Sequence, residues 1–270
     1  MNLSDFSRIA SGYDKKGIVQ KAASEKLFNL LSIGAGEDVL DLGCGTGSLT
    51  RRIRGMTTGK VVGADPAVGM IEKAVQASAG LDIEYRNIGA SELDYESAFD
   101  AIFVNSAFQW FQDPLPVLGL CHKALRPGGR IGVQAPAKEE YSPQFLAIVN
   151  RVAEDARTAE TFRSFNSPWF FLETAGEYSK LFSQTGFKVE YSSIERTSTQ
   201  GGAKEAMGIF ESGAAAGYWN PELYTRRLTP GYLEAFREIA QGYFAELAAK
   251  SEDGFEVEFN RIYLVANKPA

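Results

Sequence analysis

Apolar residues recur along this chain in two rhythms. From Ile18 to Leu31, the residues Val19, Ala22, Ala23, Leu27, Leu30 and Leu31 fall at helical spacing, and Gly34 with Gly36 ends the segment. Short apolar runs then alternate with helical patterns: Asp38–Leu42, a helix from about Thr46, Lys60–Ala64, a helix through Met70 to Ala77, Leu81–Tyr85, Phe99–Val104, a helix through Val117 to Leu125, and Gly129–Val133. Strands that are apolar throughout are buried on both faces, so the order predicts an α/β fold with a parallel sheet covered by helices on both sides.

The second half predicts longer helices near Pro143–Ala156, Glu173–Thr185, Ala203–Ala216 and Pro230–Ala249. Two β-rich runs, Phe187–Ile194 and Glu256–Val265, interrupt them and are expected to pair antiparallel at the sheet edge. The expected organisation is an N-terminal helical lid over residues 1–36, a core of 37–196 and 251–270, and a helical insertion over 197–250. No internal repeat, low-complexity tract or Pro-rich linker marks the insertion as a separate domain.

Composition narrows the partners. The net charge of -6 and pI near 5.1 disfavour nucleic acid and anionic membrane surfaces. The two cysteines, Cys44 and Cys121, form neither a disulfide framework nor a metal spacing, so no metal is expected and a reducing compartment is the default. The start Met-Asn-Leu-Ser-Asp lacks an export pattern, and no run approaches the ~18 apolar residues of a spanning helix. The expectation is cytoplasmic.

The chemistry is concentrated in the turn Asp41-Leu-Gly43-Cys44-Gly45-Thr-Gly47, where a strand feeds a helix N-terminus and the backbone must approach a ligand closely. A dinucleotide fingerprint is excluded because its third glycine position is Ser48, and no phosphate loop is present. Asp65, at the end of the next strand, is placed to accept both hydroxyls of a ribose, and it also suits a helix N-cap before Pro66.

The runs Val39–Gly47, Gly63-Ala-Asp-Pro-Ala-Val-Gly-Met70 and Leu125-Arg-Pro-Gly-Gly129 resemble, in order, the motifs of class I S-adenosylmethionine-dependent methyltransferases, over roughly Glu37 to Val133. The resemblance implies a Rossmann-like, seven-stranded, mostly parallel sheet whose last strand is antiparallel. It also implies S-adenosylmethionine as cofactor, with S-adenosylhomocysteine as product. Gly43 and Gly45 would then lie near the methionine part, Asp65 would hold the ribose, and Pro66 or Met70 the adenine, with Asp41, Cys44 and Asn105 also among the cofactor-binding residues. The sequence departs from the family after the third strand, where Gly89 stands in place of the usual Asp; adenine recognition is left to Gly89, Ala90 or Ser91.

The segment Asn105-Ser-Ala-Phe-Gln-Trp-Phe111 lacks the two prolines typical of base and glutamine amine methylases. Gln109-Trp110 instead resembles carboxyl O-methyltransferases of small acids, the trans-aconitate, juvenile hormone acid and malonyl-acyl carrier protein enzymes. The last resembles the chain most widely, through Phe6–Asp14, Glu205–Ala216 and Leu228–Tyr232. The partner implied is a small-molecule acid or an acyl carrier protein thioester, with Gln109, Trp110 and Tyr13 positioning it and the insertion capping the acceptor side. Trp110 also suits a core aromatic, and Tyr13 an anchor for the N-terminus. An ionised carboxylate needs no general base, and the sole histidine, His122, is expected to be solvated. Candidates for gripping the acid are Arg163, Arg196, Arg226 and Arg227, with Tyr218, Tyr224, Trp169 and Trp219. Two alternatives stay open: O-, N- or C-methylation of a natural product, and a cofactor-binding partner protein without catalysis.

Overall fold

The computed structural model describes residues 18–251 and 253–270. Tyr13 and the rest of residues 1–17 of the expected 1–36 lid lie outside them.

Seven strands form one sheet in the order β3-β2-β1-β4-β5-β7-β6. These are β1 Val39–Leu42, β2 Val61–Ala64, β3 Glu84–Arg86, β4 Phe99–Asn105, β5 Leu125–Pro136, β6 Lys188–Gly201 and β7 Phe255–Asn267. The first five run parallel, with Val39 beside Val61 on one side and Ala101 on the other. Strand β7 inserts antiparallel between β5 and β6. Every residue of β1 and β2 is buried, as two-sided coverage demands.

Helix α1 (Ile18–Leu31) covers one face, where Leu27 and Leu31 are fully buried and Phe28 stacks on Phe103 at 4.6 Å. Four helices join the parallel strands or follow them: α2 (Ser48–Arg54), α3 (Val68–Ala77), α4 (Pro114–Ala124) and, before β6, α7 (Ala175–Ser183). Leu118 and Cys121 of α4 pack with Phe182 of α7 over the other face.

A second core sits beyond the sheet. Strand β5 ends at the pair Pro136–Arg261, but β6 and β7 run on as a two-stranded ribbon to the pair Gly201–Phe255. On this ribbon lie α5 (Pro143–Glu154), α6 (Ala159–Phe162), α8 (Ala203–Ser212), α9 (Ala215–Tyr218) and α10 (Tyr232–Ala248). Phe145 of α5 meets Phe259 of the ribbon at 5.4 Å and Phe210 of α8 at 5.0 Å. Each such fully buried ring contributes about 1.5–3 kcal/mol of transfer free energy.

Three sequence expectations are revised. The strand expected at Leu81–Tyr85 is confined to Glu84–Arg86, because Leu81 and Ile83 spend their amides on a turn around Gly80 and Leu81 is exposed. The helix expected over Ala203–Ala216 breaks at Gly213 (φ −134°, ψ −87°). Strand β6 continues seven residues past Ile194 to Gly201, so the helices of the insertion begin only at Ala203. No helix among the described residues is long and apolar enough to cross a membrane, and no group of their His, Cys, Asp and Glu residues could hold a metal.

Candidate active site

At the carboxyl end of β1 the chain makes a turn with three left-handed glycines, Gly43 (φ +81°), Gly45 (φ +53°) and Gly47 (φ +74°). Each is required for a different reason. A Cβ on Gly43 would lie 2.3 Å from that of Ala107, and one on Gly47 would lie 2.3 Å from the Tyr85 hydroxyl. A Cβ on Gly45 would meet no atom of the described residues within 4 Å. The amides of Gly43 and Cys44 both donate to the Ala64 carbonyl, at 2.8 and 3.0 Å, which ties the turn to β2.

Asp65 completes the tie. Its Oδ2 accepts from the Gly45 amide at 3.0 Å and its Oδ1 from the Ala67 amide at 2.9 Å. Because Ala67 caps α3, Asp65 organises the helix start as well as the cavity wall. Burial raises its pKa, and the two amides oppose that shift. Asp41 lies beneath the turn, 2 % exposed, and accepts from the Thr50 hydroxyl at 2.6 Å. Burial pushes its carboxyl up to about 7, against the Thr50 bond and with a smaller push from Asp65. The Cys44 thiol is buried, and burial pushes its pKa far up, away from the reactive thiolate form.

A cavity of about 460 Å³ opens in front of the turn, within the usual range for small-molecule sites. Its wall contains Gly43, Gly45, Asp65, Pro66, Met70, Gly89, Ala90, Ser91, Asn105 and Trp110, ten of the residues named from sequence. Asp41 and Cys44 lie behind that wall. Gln109 is also absent from it: the residue is 8 % exposed, its side-chain amide donates to the Ser106 carbonyl at 3.0 Å, and its backbone carbonyl accepts from the Phe170 amide at 2.8 Å. The short 3-10 turn Phe108–Trp110 separates the two neighbours, sending Trp110 to the cavity and Gln109 inward.

Residues that sequence reasoning missed are Ser106, Ala107, Glu92, Phe111, Gln112 and Asp113. Ser106 holds a left-handed backbone (φ +56°), a strained conformation of the kind that gathers at functional sites. Glu92 stands three residues past Gly89 and accepts from the Gly89 amide at 2.7 Å, a capping contact whose spacing was visible in the sequence. Among the described residues, the ionisable groups in the wall are Asp65, Glu92 and Asp113, all acidic.

The proposed acid-gripping arginines are not at the cavity. Arg163, Arg226 and Arg227 are exposed, Arg226 lying 3.7 Å from Glu160, and Arg196 pairs with Glu258 on the surface. Tyr218 and Tyr224 are core residues, the Tyr224 hydroxyl donating to the Tyr218 carbonyl at 2.6 Å. Trp219 packs under Arg237. Trp169 alone of that set reaches the site: its ring lies 5.7 Å from that of Trp110 and 4.8 Å from that of Tyr218. His122 is half-buried rather than solvated, edge-on to Phe187 at 5.0 Å, and burial lowers its pKa.

Another arginine, Arg261, is 4 % exposed. Because a guanidinium can only donate, it fixes the orientation of the Gln134 amide. Gln134 Oε1 then accepts from Arg261 Nη1 at 2.9 Å, while its Nε2 donates to Asn105 Oδ1 at 3.0 Å and Ser106 Oγ at 3.1 Å.

Comparison with known proteins adds what geometry cannot. A family profile described as a methyltransferase domain matches residues 39–129. Over 128 residues the chain is 34% identical to a malonyl-[acyl-carrier protein] O-methyltransferase of Hahella chejuensis, covering 47% of this chain and 46% of that protein. It is 28% identical over 241 residues to a trans-aconitate 2-methyltransferase of Variovorax paradoxus, covering 86% and 87%. The chain spans less than half the length of the malonyl relatives that it matches at 34% and 33% identity. A methyltransferase solved with the Haloferax volcanii Trm112 activator shares the fold, with a TM-score of 0.61 at 17% identity and 98% coverage of both chains.

Proposed function

We propose, for a chain that belongs to the class I S-adenosylmethionine-dependent methyltransferases, that it methylates the carboxylate of a small or carrier-tethered acid. The observation that supports the cofactor half of the reading is the charge of the cavity, whose ionisable groups among the described residues are all acidic. Such a wall attracts a cationic, hydroxyl-rich nucleoside and repels a pyrophosphate.

The residues present fit that cofactor. A carboxylate offers about four lone-pair sites, and the Gly45 and Ala67 amides occupy two on Asp65. The remaining sites would hold the ribose hydroxyls. Gly45, with open space where a Cβ would stand, would let the methionine portion lie against the backbone. Pro66, Met70 and Val117 supply apolar surface for adenine, and Glu92 supplies a carboxylate on the wall where the family's Asp is missing. Bound there, S-adenosylmethionine supplies an electrophilic methyl group on a sulfonium.

The protein's remaining work is alignment and exclusion of water, because a carboxylic acid is already ionised at neutral pH. Trp110, backed by Trp169, is placed for that role at the cavity. No histidine, lysine or cysteine stands in the described wall to act as a base, which suits an acceptor that needs none. The relatives' names agree, since malonyl-carrier protein and trans-aconitate both present carboxylates.

The test is a turnover panel of malonyl-carrier protein, malonyl thioesters, trans-aconitate and fatty acids beside amines and phenols. A base-labile methyl ester on one of the acids is expected. Transfer to an amine or phenol with every acid inert would overturn the acceptor assignment.

A further inference from the structure

We propose that Ser106 and Asn105 bind the carboxylate of the acceptor with neutral donors whose direction Gln134 sets, an inference that rests on the acid-acceptor reading above. Among the described residues the cavity wall holds no cation. An acid acceptor therefore has only uncharged N–H and O–H groups of that wall to bind.

The direction of these donors follows from one buried amide. Gln134 is fully buried, and its side-chain carbonyl faces two groups that can only donate, Arg261 Nη1 at 2.9 Å and the Ala135 amide at 3.1 Å. Its Nε2 points the other way and spends its two hydrogens on Asn105 Oδ1 at 3.0 Å and Ser106 Oγ at 3.1 Å. With both oxygens accepting, Asn105 keeps its NH2 group and Ser106 its hydroxyl proton for another acceptor. The backbone of Ser106 is spent as well: its amide donates to the Gln134 carbonyl at 2.7 Å, and its carbonyl accepts from the Gln109 side chain at 3.0 Å. Hydrogen bonds in a chain polarise one another, so the charge of Arg261 reaches the cavity as donor strength rather than as a cation.

Both oxygens lie within hydrogen-bond reach of one nitrogen, so the two donors are neighbours and match the two oxygens of a single carboxylate. Sheet order places them at the acceptor end. Along β3-β2-β1-β4 the wall is built in turn from Gly89 after β3, Asp65 after β2, Gly43 and Gly45 after β1, and Asn105 with Ser106 at the end of β4. Adenine, ribose and methionine would take the first three positions, which leaves the end of β4, beside Trp110, to the acceptor. Asn105, expected from sequence with the cofactor, is thereby assigned to the acceptor. Two other neutral donors of the wall stand elsewhere, Ser91 next to Gly89 at the adenine end and Gln112 exposed. Gln134 itself is a positioning residue.

The experiment follows tryptophan fluorescence as trans-aconitate or a malonyl thioester is added to the S-adenosylhomocysteine complex, in which no methyl can transfer. The neutral methyl esters of the same acids serve as controls. Ser106→Ala removes one donor and is expected to weaken acid binding roughly tenfold, with ester and S-adenosylhomocysteine affinities unchanged. Gln134→Glu reverses the relay at equal size. Its carboxylate still accepts from Arg261 but can no longer donate, so Ser106 and Asn105 turn their hydrogens toward it and away from the cavity. Acid binding is expected to fall by about tenfold or more, while ester and cofactor binding hold.

Unchanged acid affinity in either folded variant overturns the assignment. A matching loss of S-adenosylhomocysteine affinity also overturns it, because the donors would then belong to the cofactor, and so does an equal loss of acid and ester affinity. Should Gln134→Glu fail to fold, Ser106→Ala decides alone. If the wild-type complex binds no acid at all, the acid-acceptor reading falls and takes this assignment with it; acid binding retained by the variants removes the assignment alone.

Discussion

The glycine turn at the end of β1 and the aromatic core on the β6–β7 ribbon solve opposite packing problems. In the turn, side chains are removed so that the backbone can fold tightly at the edge of the cavity: Gly43, Gly45 and Gly47 are left-handed, and hydrogen bonds from Gly43, Cys44 and Gly45 hold the loop to β2 and Asp65. In the ribbon core, side chains are added until no space remains: Phe145, Phe210, Phe236 and Phe244 are all buried among Tyr218 and Tyr232. The first region spends stability on a cavity, and the second supplies it. Trp169 joins them, touching Trp110 at the cavity and seating its indole where a Cβ on Gly217 would lie 2.3 Å away.

If that division holds, damage to each region should appear in a different measurement. The largest effect is expected from Phe145→Ala, which empties the ribbon core: about 3–5 kcal/mol lost in denaturant unfolding, with the affinity of the folded protein for S-adenosylhomocysteine unchanged. A parallel loss of affinity would break the comparison. Next is Gly43→Ala, which adds a Cβ against Ala107 on a left-handed backbone. It is expected to cost about 2–4 kcal/mol, divided between unfolding free energy and S-adenosylhomocysteine binding.

The third effect is a pH dependence, read as a slope rather than as a loss at one pH. Burial holds the Asp41 proton more tightly in the folded chain than in the unfolded one, where the ordinary value is 3.8, and lifts its pKa to about 7. Stability from this group is therefore full below about pH 4 and is lost as pH rises through about 7, at no more than about 1.4 kcal/mol per pH unit. Asp41→Asn should flatten that slope between pH 4 and 7 in unfolding titrations. An unchanged slope would mean that the carboxyl is not strained by its burial.

What the sequence disclosed divides along the same line. The glycine turn Asp41–Gly47, and Asp65 and Met70 beside it, were legible because the constraint is local: a backbone that must turn sharply leaves glycines at fixed offsets, and the next strand ends in a carboxylate that accepts from the turn. The parallel order of β1 to β5 was legible from apolar runs alone. Gln109 was misplaced because adjacent residues in a tight turn face different ways, which adjacency cannot reveal. The arginines were misjudged because exposure depends on tertiary packing. Arg226 and Arg227 sit in an exposed loop, whereas Arg261 lies in a strand whose alternate residues Val257, Phe259 and Tyr263 are buried. That alternation was the available signal, since a charge standing in a row of inward positions marks a buried cation.

The central claim is that the space in front of Gly45 is the cofactor's. Calorimetric titration of S-adenosylhomocysteine into the wild-type protein and Gly45→Ala tests it, because the added methyl meets no atom of the described residues and, apart from the strain of a left-handed alanine that unfolding measurements read separately, can crowd only a ligand. One site is predicted on the wild type, weakened about tenfold or more in the variant, with the variant still folded. Equal affinity in the two proteins would contradict the account.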